Sequence, residues 1–174
     1  MGLRSAILLA AAGLGCQTST SATRTDLRAY LAQTRTWASV EAETARTIER
    51  ILRTEFVDEA EVLHAIAESR PRIAVHLQRL EALAPRSVEV RRVHTRYVEA
   101  WQKLLEGYDA IERGFATGDY TELARGREAM AQWKATILDV AHELRQLMDH
   151  FGVEPDGAIE SRARDDFQVA TQRT

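Results

Sequence analysis

The chain has 174 residues, of which 45% are apolar and 28% charged, and a formal charge of −3. That length is enough for one domain with a proper core, and the composition belongs to a folded globular chain rather than a disordered or membrane-spanning one. The slight acidity argues against nucleic acid, which calls for a concentrated basic face. A single cysteine excludes an intramolecular disulfide and a cysteine-based zinc cluster. Only 3 prolines and 9 glycines in an Ala-, Leu-, Arg- and Glu-rich chain favour helices.

Residues 1–15 read as an export signal. Arg4 supplies a positive charge, and Ser5–Gly15 is an apolar, small-residue run of about 11 residues, well short of the roughly 20 that cross a bilayer as a helix. The run stops at Cys16, and Gln17–Arg24 follows as a polar Ser/Thr tract suited to a flexible tether over 16–25. This arrangement resembles a bacterial lipoprotein signal, in which Leu and two small residues precede a lipid-bearing Cys. Gly15 fits that pattern, while Leu14 and Gly13 depart from it. The resemblance implies cleavage before Cys16, a diacylglyceryl thioether on its sulfur and an acylated new N-terminus, hence a membrane partner reached through lipid. Gln17 in place of Asp implies the outer rather than the inner membrane, with the protein facing the periplasm.

From Asp26 to Gly152 the spacing predicts four helices, near 26–55, 58–84, 87–116 and 119–151. Asp58 with Glu61, and Asp119 with Glu122, are spaced as capping boxes. Pro85 and Ser87 mark a stop followed by a start, Gly118 and Gly152 stand where helices end, and Pro155 forbids continuation. Each helix carries one apolar stripe: Leu27, Tyr30, Trp37 and Ile48 in the first; Ile66, Ile73, Leu77 and Leu80 in the second. Val90 to Phe115 step by fours and threes in the third, and Leu123, Met130, Ile137, Leu144 and Phe151 recur every seven in the fourth. Short loops make neighbours antiparallel, so the expected fold is all-α, an antiparallel up-down four-helix bundle over 26–152 after a cleaved signal peptide. Residues 153–174 are charged and read as a mobile tail.

Two Asp/Glu-x-x-His pairs, Glu61 with His64 and Asp139 with His142, have the spacing by which ferritin-like bundles hold two metals. Their levels differ by on the order of 18 Å at 1.5 Å per residue, and His142 falls about 160° from the Leu144 stripe. No metal and no cofactor are therefore expected. His76 and His94 come out at similar heights on the margins of their stripes, as boundary histidines bonded locally; two imidazoles fall short of a metal site. Gly126 is expected to pack against the ring of Tyr108.

Glu41 is the informative position. It falls inside the apolar stripe of the first helix, between Trp37 and Ile48, where an unpaired charge is very costly. Reflection through the loops brings Arg70, Tyr97, Trp101 and Trp133 to its level. The expectation is a mid-bundle polar layer of Glu41 paired with Arg70 between aromatic rings, either fixing helix register or serving as a small-ligand pocket beside the kink at Pro71. No nucleophile–base pair or phosphate loop stands in the chain.

The stretch from Leu83 to Trp133, with Pro85, His94-x-x-Tyr97 and the Gly118-Asp119 turn, resembles helical hairpins of uncharacterised bacterial lipoproteins. That resemblance implies no catalytic residues. The functional expectation is a non-enzymatic, membrane-anchored envelope module that binds or scaffolds another envelope protein. The alternative is an envelope sensor or carrier holding a small ligand at the Glu41 layer.

Overall fold

The computed structural model describes residues 12–53 and 58–154. Its elements in chain order are α1 (Ala12–Thr34), a 3₁₀ turn (Arg35–Trp37), α2 (Ala38–Arg53), α3 (Glu59–Glu81), α4 (Val88–Thr117) and α5 (Tyr120–Phe151). The 3₁₀ turn joins α1 and α2 into one broken rod, so the described residues form the four rods that the periodicity implies.

Contacts between rods fix the topology. Along α3 and α4, Arg70 meets Asp109 and Gln102 meets Glu81, so the pairing falls in one as it rises in the other. The same holds for the first rod with α3 through Trp37–His76 and Glu43–Arg72, and for α4 with α5 through Arg96–Asp139 and Arg113–Glu122. Arg24 against Phe151 and Glu49 against Lys134 set the first rod antiparallel to α5. The bundle is all-α and up-down, with the first rod and α4 parallel and touching across the centre.

The helix ends follow local chemistry. The Asp58 carboxylate accepts from the Ala60 N–H and the Asp119 carboxylate from the Thr121 N–H, so both acids cap, but to the second helical residue rather than the third, and Glu122 meets Arg113 and Arg125 instead of closing the expected box. Gly118 (φ 70°) and Gly152 (φ 58°) take the left-handed conformation that closes α4 and α5. At the second of these, the Val153 N–H reaches back to the Met148 carbonyl at 2.8 Å, and Val153 is buried against Leu27, Tyr30, Val90 and Phe151. The bundle thus includes Val153, where the tail was expected to begin; 155–174 lie outside the described residues.

The start of α4 is capped from another helix. Ser87 makes no side-chain cap of its own; instead the Asp26 carboxylate of α1 accepts from the Arg86 and Ser87 N–H groups and from the Ser87 hydroxyl. Burial pushes the Asp26 carboxyl up, but these bonds outweigh it and hold the group below the ordinary carboxylate value. The first helix also begins earlier than expected. Residues 16–25, assigned to a tether, lie within α1, where Thr23 is buried and Arg24 Nε donates to the Phe151 carbonyl at 2.6 Å. No proline precedes Pro71 and no glycine lies between Gly15 and Asp26, so although Thr25 and Asp26 are residues that can cap a helix start, nothing in the sequence breaks the helix before them. Cys16 falls in this helix, whereas 1–11 of the expected signal lie outside the described residues.

The core runs the length of the bundle, with Trp101, Trp133, Tyr108 and Leu27 among its largest enclosed side chains. Where α4 and α5 cross, the helices approach closely. A Cβ on Gly126 would stand 2.7 Å from the Gly107 carbonyl, and one on Gly107 would stand 2.7 Å from Ala129 Cβ. Gly126 therefore meets Gly107 and Ile111 rather than the Tyr108 ring. Tyr108 turns to the other side, where Ser69 Oγ donates to its hydroxyl.

Candidate functional site

The layer anticipated around Glu41 exists, with a different membership. Glu41 lies in the first turn of α2, just past the 3₁₀ turn, and as a residue is half-buried with its carboxyl end reaching the packed rings. The Tyr97 hydroxyl of α4 donates to that carboxylate. Trp101, one turn further along α4, packs edge-to-face on Trp133 of α5 with ring centroids 4.9 Å apart, and on Tyr97 at 6.3 Å. Four of the five expected residues, Glu41, Tyr97, Trp101 and Trp133, thus meet at one level.

Arg70 does not join them. Its guanidinium binds Asp109 and Glu112 of α4, each at 2.7 Å, and lies over the Tyr108 ring at 5.9 Å. Burial lowers its pKa, but these acid partners outweigh that and raise it overall. The expected Glu41–Arg70 pair is therefore absent, for reasons of register. Trp37 meets His76 and Glu43 meets Arg72, so Glu41 stands two or three residues beyond the level of Arg70. On a helix, that offset carries a side chain from the centre to a flank.

His76 of α3 takes the central place. It is 2% exposed and touches Trp37, Tyr97 and Trp101, with centroids 5.3, 6.1 and 4.5 Å away. Its Nε2 lies 3.4 Å from the Tyr97 oxygen. A second imidazole, His94, pairs edge-on with Tyr30 of α1, the Tyr30 hydroxyl standing 3.4 Å from Nδ1. Both histidines are buried rather than marginal. Their stripe positions carried the signal: His76 lies beside Leu77 and three residues after Ile73, and His94 lies between Val90 and Tyr97 in an unbroken apolar series.

Burial dominates the electrostatics of the layer. It raises the Glu41 carboxyl, against the opposing bond from Tyr97, and raises the Tyr97 phenol well above its usual value with the nearby Glu41 charge adding to the effect. The Trp101 indole N–H lies close enough to the Tyr97 oxygen to favour its ionised form without completing a hydrogen bond. Burial also lowers His76 to about 4, reinforced by the positive charge of Arg79, and lowers His94. Both rings are therefore neutral near pH 7. Three buried nitrogens at this level have no hydrogen-bond partner: His76 Nδ1, Trp101 Nε1 and Trp133 Nε1. Such groups are rare because each forfeits its hydration without compensation.

Elsewhere the candidates behave as their registers imply. His64 is exposed beside Glu68, and His142 is exposed beside Gln146. Among the described residues no three His, Cys, Asp or Glu groups converge as a metal would require, and no helix is long and apolar enough to cross a membrane. An open groove of about 560 Å³ lies between α4 and α5, floored by Gly107 and Ala129 and edged by Lys103, Glu106, Arg125 and Glu128. No family model, curated protein or solved structure matches the chain. The structure itself defines the class: an all-α up-down bundle with a polar, aromatic mid-layer.

Proposed function

We propose that the chain is a lipid-anchored protein of the cell envelope, held at a membrane through Cys16, whose bundle binds or scaffolds another envelope protein without catalysis. The observation that carries this reading is the order of residues at the N-terminus: Arg4, an apolar run from Ser5 to Gly15, then Cys16 and Gln17. A surface-held module suits a bundle whose two longest helices, α4 and α5, carry mostly charged outer faces. Lipid on Cys16 supplies the durable attachment that needs two or more acyl chains. Gln17 favours the outer membrane, with the bundle in the periplasm. The test is the intact mass of the protein from a detergent-extracted membrane fraction. Cleavage before residue 16 together with a diacylglyceryl and acyl increment is expected; a free Cys16 thiol overturns the reading.

A second reading rests on the unpartnered nitrogens of His76, Trp101 and Trp133. Two indole donors and one bare imidazole nitrogen left open beside an enclosed carboxyl and aromatic walls suit a small polar ligand, and the protein would then be an envelope sensor or carrier. Native mass spectrometry of protein purified from its own envelope separates the two. A bound small molecule lost in Glu41→Gln and Tyr97→Phe supports the second reading; ligand-free protein with a partner captured on the outer helix faces supports the first.

A further inference from the structure

Three contacts fasten the middle of the first rod to α3 and α4, and each involves an ionisable group. Tyr30 of α1 meets His94 of α4, Trp37 of the 3₁₀ turn meets His76 of α3, and Glu41 of α2 accepts from Tyr97 of α4. Positions 30, 37 and 41 step by seven and four and so form one stripe of the rod. Both ends of the rod are held by hydrogen bonds to main-chain groups. Asp26 caps α4 at one end, and the Arg127 guanidinium donates to the Ile51 and Leu52 carbonyls at the other.

The geometry around His76 dictates where a second proton goes. The Tyr97 hydroxyl donates its hydrogen bond to Glu41, so toward His76 the Tyr97 oxygen can only accept. The neutral tautomer assigned by that network carries its hydrogen on Nε2, and Nδ1 is then the bare nitrogen, consistent with its having no partner. A further proton would land on Nδ1, among the rings of Trp37 and Trp101, where no acceptor stands. A buried cation without an acceptor is very costly, and opening the seam to water relieves that cost.

The surroundings offer little compensation. Facing His76 are Tyr97 from α4, Glu41 of α2 through the Tyr97 hydroxyl, and Arg79 on its own helix, whose charge opposes protonation. Facing His94 is Tyr30 from α1. From α5 the layer receives Trp133, which does not titrate near neutrality. The ion pairs Glu43–Arg72 and Glu49–Lys134 lie at the partly exposed edges of α2.

We propose that residues 27–48 form a pH-operated arm: uptake of protons by His76 and His94 opens the seam between the first rod and α3–α4, while the α4–α5 pair stays closed. The device is independent of lipid on Cys16 and would expose the aromatic layer to solvent or to a partner only in acid. Taken alone, a ring moved from 6.5 to about 4 shifts the opening equilibrium about 20-fold between pH 7 and pH 5; Glu41, raised in the fold, works in the opposite sense and returns part of that shift.

Hydrogen exchange of the full chain at pH 7 and pH 5, corrected for the intrinsic pH dependence of exchange, reads this directly. Amides of 27–48 should lose protection at pH 5, by up to about 20-fold for each histidine, while those of 104–114 and 123–133 keep theirs. The double variant His76→Phe, His94→Phe retains buried rings with no proton to take up and should abolish the loss. If its helical circular dichroism at pH 7 is reduced, His76→Gln with His94→Gln takes its place. Equal wild-type protection of 27–48 at both pH values overturns the proposal. So does a parallel loss over 104–133, or an acid-induced loss that persists in the folded double variant.

Discussion

The two principal seams of this bundle are built on opposite principles. Between α4 and α5 the backbones come together over Gly107, Gly126 and Ala129, and the contact is made of small residues in which a single added methyl meets a main-chain carbonyl. Between the first rod and α3–α4 the helices are joined by bulky rings, two imidazoles and a carboxyl. The first seam owes its stability mainly to close packing, which changes little with solution conditions, and its ion pairs Arg96–Asp139 and Arg113–Glu122 lie at partly exposed edges. The second depends on groups whose charge state is set by pH, so its strength is conditional. One bundle therefore holds a fixed hairpin and an adjustable rod.

The largest effect is expected for Trp101→Ala, because Trp101 touches both His76 and Trp133 and ties the two seams together. A loss of about 3–5 kcal/mol is expected in equilibrium urea unfolding, with both seams weakened together. Next is Gly126→Ala. The substitution favours the isolated helix, but the clash with Ile111 and the Gly107 carbonyl outweighs that gain, and a net loss of about 1–3 kcal/mol should appear as a lower urea midpoint, equal at pH 5 and pH 7. Unchanged stability would mean the helices separate easily and the seam is not rigid.

Tyr97→Phe probes the other seam. It removes the donor from the enclosed Glu41 carboxyl at almost constant shape, with an expected loss of about 1–3 kcal/mol at pH 7. Glu41 is raised in the fold, so the folded state binds more protons than the unfolded chain above the ordinary carboxylate value. Its penalty grows as pH rises through the folded value and vanishes below the unfolded one. Adding Glu41→Gln to the Tyr97→Phe background should therefore recover stability at pH 7 but not at pH 3.

Asp26→Ala comes lower, at about 1 kcal/mol, as the loss of the bonds that cap α4. Here the sign is reversed. The folded carboxyl sits below 3.8, so its contribution is present above that pH and is lost as pH falls through the lower folded value. The variant should accordingly lack the wild type's acid-side decline below pH 3.8. The smallest effect is expected for Arg72→Ala, about 0.2–0.5 kcal/mol, because both partners of the Glu43–Arg72 pair are half-exposed and screened by solvent.

Much of the architecture was legible before any coordinates. The capping acids Asp58 and Asp119, the glycines at 118 and 152 and the stripe spacing place α3, α4 and α5 within a few residues of where they lie. Glu41 announced itself as a carboxyl among apolar neighbours, and reflection through the loops found Tyr97, Trp101 and Trp133. The same reflection failed for Arg70, because a slip of two or three residues between α2 and α3 changes which flank of a helix faces inward. Gly126 was placed inside correctly but given Tyr108 as partner, since helix rotation about its own axis is invisible to a count of levels. The 3₁₀ turn at Arg35–Trp37 had no proline or glycine to betray it.

The helices, their order, their antiparallel sense and the residue types that must be enclosed are all encoded locally along the chain. Those follow from local periodicity and end-capping, which act over a few residues. Which buried groups meet is settled by how the four rods pack. That packing put His76 rather than Arg70 at the centre, carried Asp26 across to cap α4, and left His76 Nδ1 without a partner. Such pairings depend on shifts of a few ångströms between helices. Those shifts come from packing side chains of unequal size around a common axis, a property of four helices together that none carries alone.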